Sequence, residues 1–334
     1  MEQKNNVLLS IGIPTFNRAE LLRSALYSLA PQIQEFQGEV ELIVSNNNSL
    51  DNTEDVVKWA QQFGPIRYHR NNENIGAFKN YVLIATVLPK GEFVWILGDD
   101  DFVRPGAVKK VLETIKNHPN LDYIYINFMH FSTEQLRTYP HPISGGDLPN
   151  GLPLGNKDHN EYYVERWETL IRPDISEVFL GGIQMAIVRR KILCRYVGRL
   201  DIGEPYTSLA STYPQVILFA KGLIGKPAYY IGTPYVVVID GAREWLEYVP
   251  KICLIYLHEA LDCYELHGVD PDQIEMCRKF LVKCNGRIIM KILMGNNARD
   301  ISGIFILQYV LKYWKYLGIG FIEVVFNQLQ KVKK

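Results

Sequence analysis

The sequence carries no excess charge of either sign. Lys and Arg together number 36, Asp and Glu also number 36, and the formal net charge of the 334 residues is therefore zero. Proteins that bind nucleic acid usually present a basic surface or stripe to the phosphates, so we predict no nucleic-acid partner. Hydrophobic residues make up 47% and charged residues 22%, which is typical of a folded protein and excludes a disordered chain.

Cysteine is scarce, and its spacing is not that of a disulfide framework. The chain has five cysteines, an odd number, and no C-x-x-C pair. We interpret them as reduced thiols in apolar helical segments, which fits a reducing compartment. They are Cys194, Cys253, Cys263, Cys277 and Cys284.

Long apolar runs are also missing. No signal-peptide stretch follows Met1. The uncharged apolar run at 301–311 is well short of the roughly 20 residues that a membrane-spanning helix needs. We therefore expect a cytoplasmic protein, with peripheral contact at the inner face of a membrane as an open alternative.

Strand and helix patterns alternate along the first 130 residues. The helical stripes lie between the apolar runs, and we expect the first helix to end at Pro31. This alternation predicts an α/β fold with a mostly parallel sheet and helices on both faces. The apolar runs that predict strands are 7–13, 40–44, 66–69, 93–97 and 121–128.

The pattern changes after residue 130. Eight Pro and Gly residues between 140 and 155 predict a long loop, which we interpret as a lid or a binding segment. Beyond it we expect helices at 161–171 and 213–221 and short strands at 229–231 and 235–239. After residue 243 the chain is predicted to be nearly all helix.

Three adjacent carboxylates, Asp99, Asp100 and Asp101, follow the apolar run that ends at Leu97. Ligand sites in open α/β sheets lie beyond the carboxyl ends of the strands. Adjacent carboxylates repel one another unless a cation relieves them, and Mn²⁺ or Mg²⁺ prefers such oxygen ligands. The cluster therefore predicts a metal site; the alternative is a solvated acidic turn that caps the helix after Pro105.

Polar residues at three other strand ends strengthen the metal interpretation. Asn, Thr and Ser side chains there can bond a base and a ribose, and Arg18 and Lys79 can meet phosphate. Taken singly, each segment is a turn or a helix cap; four in this order predict a nucleotide site. The predicted nucleotide-binding residues are Pro14, Thr15, Phe16, Asn17, Arg18, Asn46, Asn48, Asn74, Gly76 and Lys79, with Asp99 and Asp100.

These segments resemble the nucleotide-binding half of the inverting family 2 glycosyltransferases, which have the GT-A fold. The residues that carry the resemblance are Pro14-Thr15-Phe16-Asn17, the segments 44–53 and 74–80, and Gly98 to Pro105. The resemblance implies a nucleotide-diphosphate sugar donor, a divalent Mn²⁺ or Mg²⁺, and transfer with inversion to the hydroxyl of a glycan or a lipid-linked saccharide. It also implies that Asp100 is the principal metal ligand.

The resemblance divides the chain into three parts. Residues 1–130 are the nucleotide-sugar-binding half of the GT-A domain, 131–242 are the acceptor-binding half with the long loop, and 243–334 are the helical C-terminal region. Gly181 and Gly182 match the acceptor-side loop of the family.

The chain departs from the family pattern at three places. Asn46 stands where an acid often reads the base, and Gly98 replaces the first acid of D-x-D. The segment 211–214 has no acid where the family places its general base. An inverting transfer needs a base within reach of the acceptor hydroxyl, so we assign this role to Glu204 or Asp201. Glu204 as a first-turn helix acid is the alternative, and Asp174 and Glu177 are further candidates for the base.

The C-terminal aromatic residues leave two interpretations open. They pack within the protein or form a homo-oligomer interface, or, with neighbouring lysines, they contact an anionic membrane surface. Two other functions also remain open. A sugar-phosphate nucleotidyltransferase would use similar ligands, and a non-catalytic nucleotide-sugar-binding protein would account for the missing acid.

Overall fold

The computed structural model describes residues 7–175, 179–200, 203–241, 246–293, 301, 303–317 and 321. Within these residues, nine strands form one sheet in the order β3-β2-β1-β4-β8-β6-β9-β5, with β7 paired to β9. The strands are β1 (Leu9–Thr15), β2 (Val40–Asn46), β3 (Ile66–Arg70), β4 (Phe93–Ile96), β5 (Phe102–Val103), β6 (Tyr123–Ser132), β7 (Glu161–Val164), β8 (Ala186–Arg189) and β9 (Ala228–Asp240).

The first four strands run parallel, as their apolar runs predict. β1 pairs with β2 and with β4, and β2 pairs with β3. β8 then pairs antiparallel with both β4 and β6, so β6 points in the same direction as β1 and β4. The carboxyl ends of β1, β2, β3, β4, β6 and β9 therefore lie along one edge of the sheet.

The helices pack on this sheet around one large hydrophobic core. They are α1 (Ala19–Glu35), α2 (Thr53–Ala60), α3 (Ala77–Val82), α4 (Ala107–Asn117), α5 (Thr133–Leu136), α6 (Arg190–Tyr196), α7 (Leu209–Thr212), α8 (Pro214–Gly222), α9 (Val249–Lys251), α10 (Leu257–Leu266), α11 (Pro271–Leu293), α12 (Gly303–Lys312) and α13 (Trp314–Leu317). β6 contains residue 130, the predicted boundary between the nucleotide-sugar-binding half and the acceptor-binding half. The two halves therefore share one sheet.

Three predicted elements are wrong. α1 does not end at Pro31 but continues to Glu35. Proline removes one helical hydrogen bond, yet Ala30 and Ile33 are fully buried, and their packing outweighs that loss. The predicted helix at 161–171 begins as strand β7, because its residues pair with the edge of β9. The two short strands at 229–231 and 235–239 are one long strand, β9.

The long loop is packed rather than free. The amide of Ile143 donates to Ser24 Oγ at 3.3 Å, and the amide of Gly145 donates to Ser28 Oγ at 2.9 Å. Both serines lie on α1. Below the loop is a second hydrophobic cluster, whose members include Phe102, Phe131, Leu136, Ile143, Leu148 and Leu152. The loop is thus docked on α1 and β5, as a fixed part of the wall beside the sheet edge.

The described aromatic residues of the C-terminal region pack on one another. The His258 ring stacks on Tyr313 with centroids 4.7 Å apart, and His258 Nε2 lies 2.9 Å from the Tyr309 hydroxyl. Burial, with Arg278 and Lys312 nearby, lowers the pKa of His258 to about 3. No helix in the described part of the chain is long and apolar enough to cross a membrane. Phe326 and the terminal lysines lie outside the described residues.

Candidate active site

The loop after β1 is joined to the acidic cluster after β4. Thr15 Oγ1 donates to Asp99 Oδ2 at 2.8 Å. Arg18 Nη1 lies 2.9 Å from Asp99 Oδ1, and Arg18 Nη2 lies 2.8 Å from Asp100 Oδ2. β1 and β4 are neighbours in the sheet, which brings their loops together. The structure thus places four predicted site residues, Thr15, Arg18, Asp99 and Asp100, in direct contact.

The acidic turn closes over Gly98. The Gly98 amide donates to Asp101 Oδ2 at 2.9 Å. A Cβ at position 98 would lie 2.7 Å from Asp100 Oδ1 and 2.8 Å from Asp101 Oδ2. Such distances are shorter than van der Waals contact, so this turn has no room for the family's first acid.

The three predicted metal ligands do not converge on one point. Asp99 and Asp100 share Arg18, whereas Asp101 is buried and turns back to the Gly98 amide. Among the described residues, no group of three or more His, Cys, Asp or Glu side chains is arranged to hold a metal ion. Mg²⁺ is commonly bound by only one or two carboxylates together with substrate phosphates. Asp99 and Asp100 fit that smaller donor set.

Burial gives Asp99 an unusual acidity. The residue is only 4% exposed, and desolvation raises its pKa to about 7. The Arg18 guanidinium and the Thr15 hydroxyl oppose that rise, while the Asp100 charge adds to it. Asp99 therefore changes its charge near neutral pH, where an added cation would favour the carboxylate.

Behind this contact lies a network of three buried asparagines, Asn47, Asn71 and Asn80, that the predicted site did not include, and it reaches the exposed Asn74, which the predicted site did include. Asn71 Nδ2 donates to Asn47 Oδ1 at 2.9 Å, and Asn47 Nδ2 donates to Asn74 Oδ1 at 2.8 Å. Asn80 Oδ1 accepts from Ser45 Oγ at 2.6 Å. These bonds join the loops after β2 and β3 to the start of α3. Their one sequence signal was the density of asparagine at both strand ends.

Asn46 belongs to the same framework. It is fully buried; its Nδ2 donates to the Tyr68 hydroxyl at 2.8 Å, and its Oδ1 accepts from the Ser49 amide at 2.8 Å. Both ends of the side-chain amide are thus used within the protein. Its predicted contact with a base is untested, and the geometry gives it a supporting place beneath the loop.

The outer residues of these loops are exposed or half-buried and held by their backbone. Asn17 and Asn48 have φ of +52° and +63°, a left-handed conformation that Asn tolerates better than most residues. Asn17 Oδ1 accepts from the Leu50 amide at 2.8 Å, which ties the first loop to the second. Phe16 is 39% exposed. Pro14 is the last residue but one of β1 and pairs with Ser45 of β2. Asn74, Gly76 and Lys79 are exposed around the start of α3.

Gly181 and Gly182 lie beside the acidic turn. The Trp95 indole donates to the Gln184 carbonyl at 2.8 Å, which fixes this segment against the end of β4. The buried Gln215 side chain donates to the Gly181 carbonyl. Gln215 is in the first turn of α8, one residue beyond the segment that lacks the expected acid. Sequence reasoning missed it because that search was for a carboxylate.

The candidates for the general base differ in exposure and in ion pairing. Glu204 is exposed in the turn before α7, where its carbonyl accepts from Thr207 Oγ1 at 2.7 Å. Asp174 is exposed and pairs with Arg172, with 3.2 Å between Oδ1 and Nε. Asp201 and Glu177 lie outside the described residues. Of the predicted bases, Glu204 has a described position and a carboxylate not committed to an ion pair among the described residues.

Comparison with known families and proteins identifies the family of the chain. The family model described as "Glycosyl transferase family 2" matches residues 10–193, more than half of the chain. An abequosyltransferase of Salmonella typhimurium is 38% identical over 97 residues, 28% of this chain and 28% of that protein. A GalNAc(5)-diNAcBac-PP-undecaprenol beta-1,3-glucosyltransferase of Campylobacter jejuni is 34% identical over 154 residues, 45% and 46% of the two chains. The chain thus spans less than half the length of either relative.

A solved structure shares the fold over nearly the whole chain. TarS residues 1–349 from S. aureus, in complex with UDP-GlcNAc, superpose with a TM-score of 0.57 at 14% identity, covering 93% of this chain and 82% of that one. At this identity the likeness concerns the fold. It confirms the predicted GT-A-like architecture with its helical C-terminal region.

Proposed function

Since the chain belongs to glycosyltransferase family 2, we propose that it transfers a sugar from a nucleotide-diphosphate sugar to an acceptor hydroxyl with inversion. The observation that carries this proposal is the contact of Thr15 and Arg18 with Asp99 and Asp100. It unites the loop after β1 with the acidic turn after β4, where an open α/β sheet binds its ligand.

The donor would lie across the carboxyl ends of β1, β2 and β3. The exposed Asn17 and Asn74 and the half-buried Asn48 lie on three connected loops. Each Oδ1 accepts a hydrogen bond within the protein, and each Nδ2 can donate to a ligand. Lys79 adds a positive charge for the diphosphate. The UDP-GlcNAc complex of the TarS structure supports a nucleotide-sugar donor, and the buried Asn46 leaves the choice of base to other residues.

Mn²⁺ or Mg²⁺ would be held by Asp100 with Asp99. Their oxygens suit these hard cations, and the diphosphate would complete the donor set. A cation bound there would neutralise the charge that develops on the leaving diphosphate. Asp101 would support the turn through the Gly98 amide.

The acceptor would approach from the side of Gly181 and Gly182, which border the end of β4. Glu204 or Asp201 would take the proton of the acceptor hydroxyl as its oxygen bonds to the anomeric carbon. The bond from that carbon to the diphosphate breaks, and the diphosphate leaves with the electron pair. Attack opposite the leaving group inverts the configuration.

A glycan or a lipid-linked saccharide is the proposed acceptor, which places the enzyme in polysaccharide biosynthesis. The named acceptor of the Campylobacter relative supports this class. Cys194, Cys263 and Cys277 are thiols outside any disulfide, in keeping with a cytoplasmic location. The exposed Leu311 and Trp314, 53% and 58% accessible, suit either a peripheral membrane contact or a homo-oligomer interface.

A panel of nucleotide sugars with Mn²⁺ tests the proposal. Purified protein is incubated with each donor, with and without saccharide acceptors, and released nucleotide diphosphate is measured. Release from one donor, faster with an acceptor, is expected. Nucleotide binding with neither hydrolysis nor transfer would instead identify a non-catalytic binding protein. Formation of nucleotide sugar from sugar phosphate and nucleoside triphosphate would identify a nucleotidyltransferase.

A further inference from the structure

A cavity of about 460 Å³ lies beside the acidic turn, between the start of α1 and the segments that follow β6 and β9. Its walls come from α1, from Phe102 at the start of β5, and from the segment that follows β6. Thr133 comes directly after the end of β6, and Gly241 directly after the end of β9. The cavity therefore opens at the same sheet edge as the acidic turn.

Arg18 contacts both the cavity and the acidic turn. It lines the cavity while its guanidinium contacts Asp99 and Asp100. In the sheet order, β4 lies between β3-β2-β1, whose ends carry the proposed nucleotide loops, and β6-β9-β5, whose ends supply the wall of the cavity opposite α1. A nucleotide and a ligand in the cavity would thus lie on either side of Arg18.

The lining of the cavity is partly basic and partly apolar. Arg137 and His141 join Arg18, and among the described residues of the lining Glu20 is the single acidic one. Among the described residues, no carboxylate forms an ion pair with Arg137 or His141. Leu21, Phe102 and Leu136 supply an apolar wall. Arginine with imidazole and hydroxyl donors is the donor set that recognises phosphate oxygens.

The positions of Arg137 and His141 are fixed by the fold. Ser132 and Gln135 form a capping box that sets the turn of α5 just before Arg137. On the other side of His141, the bonds from Ile143 and Gly145 to the serines of α1 hold the loop in place. The side chains of Arg137 and His141 are thus presented by an ordered wall.

We propose that this cavity binds a phosphate group carried by the acceptor. The proposal rests on the proposed transferase function. It specifies that the acceptor carries a phosphate group. The phosphate would be either the diphosphate that links a saccharide to a lipid or a monophosphate on a sugar. Arg137 and His141 hold it while the reacting hydroxyl lies at the acidic turn.

Calorimetric titration of the full chain in EDTA, without nucleotide, tests the cavity separately from the metal-dependent donor site. Inorganic pyrophosphate represents the lipid-linking diphosphate, and glucose 1-phosphate represents the sugar monophosphate. We expect saturable binding, and the tighter probe distinguishes the two sources. Arg137→Gln or His141→Gln should weaken it about tenfold, the size of one lost charged hydrogen bond. Arg195→Gln, an exposed arginine on α6, is the matched control.

A second titration, with nucleotide diphosphates and Mn²⁺, shows which ligand the cavity serves. Affinity for nucleotide should change less than twofold in Arg137→Gln, because Arg137 lies on the segment after β6 and not on the loops after β1, β2 and β3. An equal loss for nucleotide and pyrophosphate would overturn the proposal, since the cavity would then belong to the donor. Absence of saturable phosphate binding in the wild type, or unchanged binding in both variants, would also overturn it. Pyrophosphate binding without any donor hydrolysis would contradict the transferase function alone.

Discussion

Arg18 is the counter-ion of Asp99: its Nη1 lies 2.9 Å from Asp99 Oδ1, and its other terminal nitrogen reaches Asp100. The guanidinium holds together the two carboxylates that we assign to a divalent cation. A metal ion that binds both must displace the arginine or share them with it. Displacement would release Arg18 toward the phosphate groups that its charge suits.

Replacing Arg18 should strengthen metal binding in the absence of nucleotide. In Arg18→Gln the carboxylates lose their internal counter-ion, and we expect Mn²⁺ to bind several-fold more tightly, since an opposite charge at this distance contributes about 1 kcal/mol or more. Titration of free Mn²⁺ by electron paramagnetic resonance measures this. Arg23→Gln, on the same helix but stacked on Trp59, is the control. Weaker Mn²⁺ binding in Arg18→Gln would show that the arginine supports the metal instead.

Asp100→Ala should abolish metal-dependent binding of the nucleotide sugar. The carboxylate is partly accessible and lies at the mouth of the acidic turn, whereas Asp99 and Asp101 are buried. A thermal-shift titration with donor and Mn²⁺ compares the midpoints, since a ligand that binds only the native state raises the midpoint. Asp147→Ala, an exposed carboxylate of the long loop, serves as control. Donor affinity like that of the wild type in Asp100→Ala would refute the metal assignment.

Glu204→Gln should lower turnover and leave donor binding intact. The substitution keeps size and polarity but removes the basic oxygen that would accept the acceptor proton, and general bases contribute roughly 10²–10⁴-fold to rate. Steady-state kinetics with saturating donor gives the change in kcat, and the donor KM serves as the internal control. Unchanged turnover would transfer the role to Asp201 or another group.

Gly98→Ala should destabilise the fold although alanine is small. The new Cβ would lie 2.7 Å from Asp100 Oδ1 and 2.8 Å from Asp101 Oδ2, and overpacking of this kind costs about 1–3 kcal/mol. Urea unfolding followed by circular dichroism measures the free energy of unfolding. Gly198→Ala, where a Cβ meets nothing within 4 Å, should change it little. Equal stability of the two variants would mean that the acidic turn yields to a side chain.

His258 should make the stability of the protein fall with acid. Its pKa is about 3 when folded and near 6.5 when exposed, so below pH 6.5 the unfolded chain binds more protons. Its contribution is fully present above pH 6.5 and is lost as the pH falls toward 3. Urea unfolding at pH 7.5 and 5 should show a smaller pH dependence in His258→Gln than in the wild type. The exposed His159 provides the control, because His159→Gln should leave the slope unchanged.

The nucleotide-facing half of the site could be predicted because parallel strands bring their carboxyl ends to one edge. Short apolar runs locate β1, β2 and β4, and the polar residues after them are then neighbours whatever the detailed packing. This reasoning placed Thr15, Arg18 and Asp99 together before any distance was known.

The parts that could not be predicted depend on contacts between distant segments. The hydrogen bond from Gln215 to the Gly181 carbonyl joins residues 34 apart in the sequence. Pairing with β9 makes the start of the segment 161–171 a strand, although its sequence pattern predicts a helix. Asp101 turns inward to accept from the Gly98 amide, and a sequence of three successive aspartates does not show which of them will do so. The predicted end of α1 at Pro31 is wrong for a similar reason. The burial of Ile33, which keeps the helix going, depends on contacts that a local sequence pattern does not show.

The docked loop also bears on the order in which the chain folds. The contact between Ser24 and Ile143 spans 119 residues, and that between Ser28 and Gly145 spans 117. Bringing such distant segments together costs loop-closure entropy before their contacts repay it. During synthesis the parallel strands β1 to β4 are complete before Ile143 emerges. The half that we assign to the donor can therefore form first, and the cavity is complete only when the loop and Gly241, at the end of β9, have joined the surface already built.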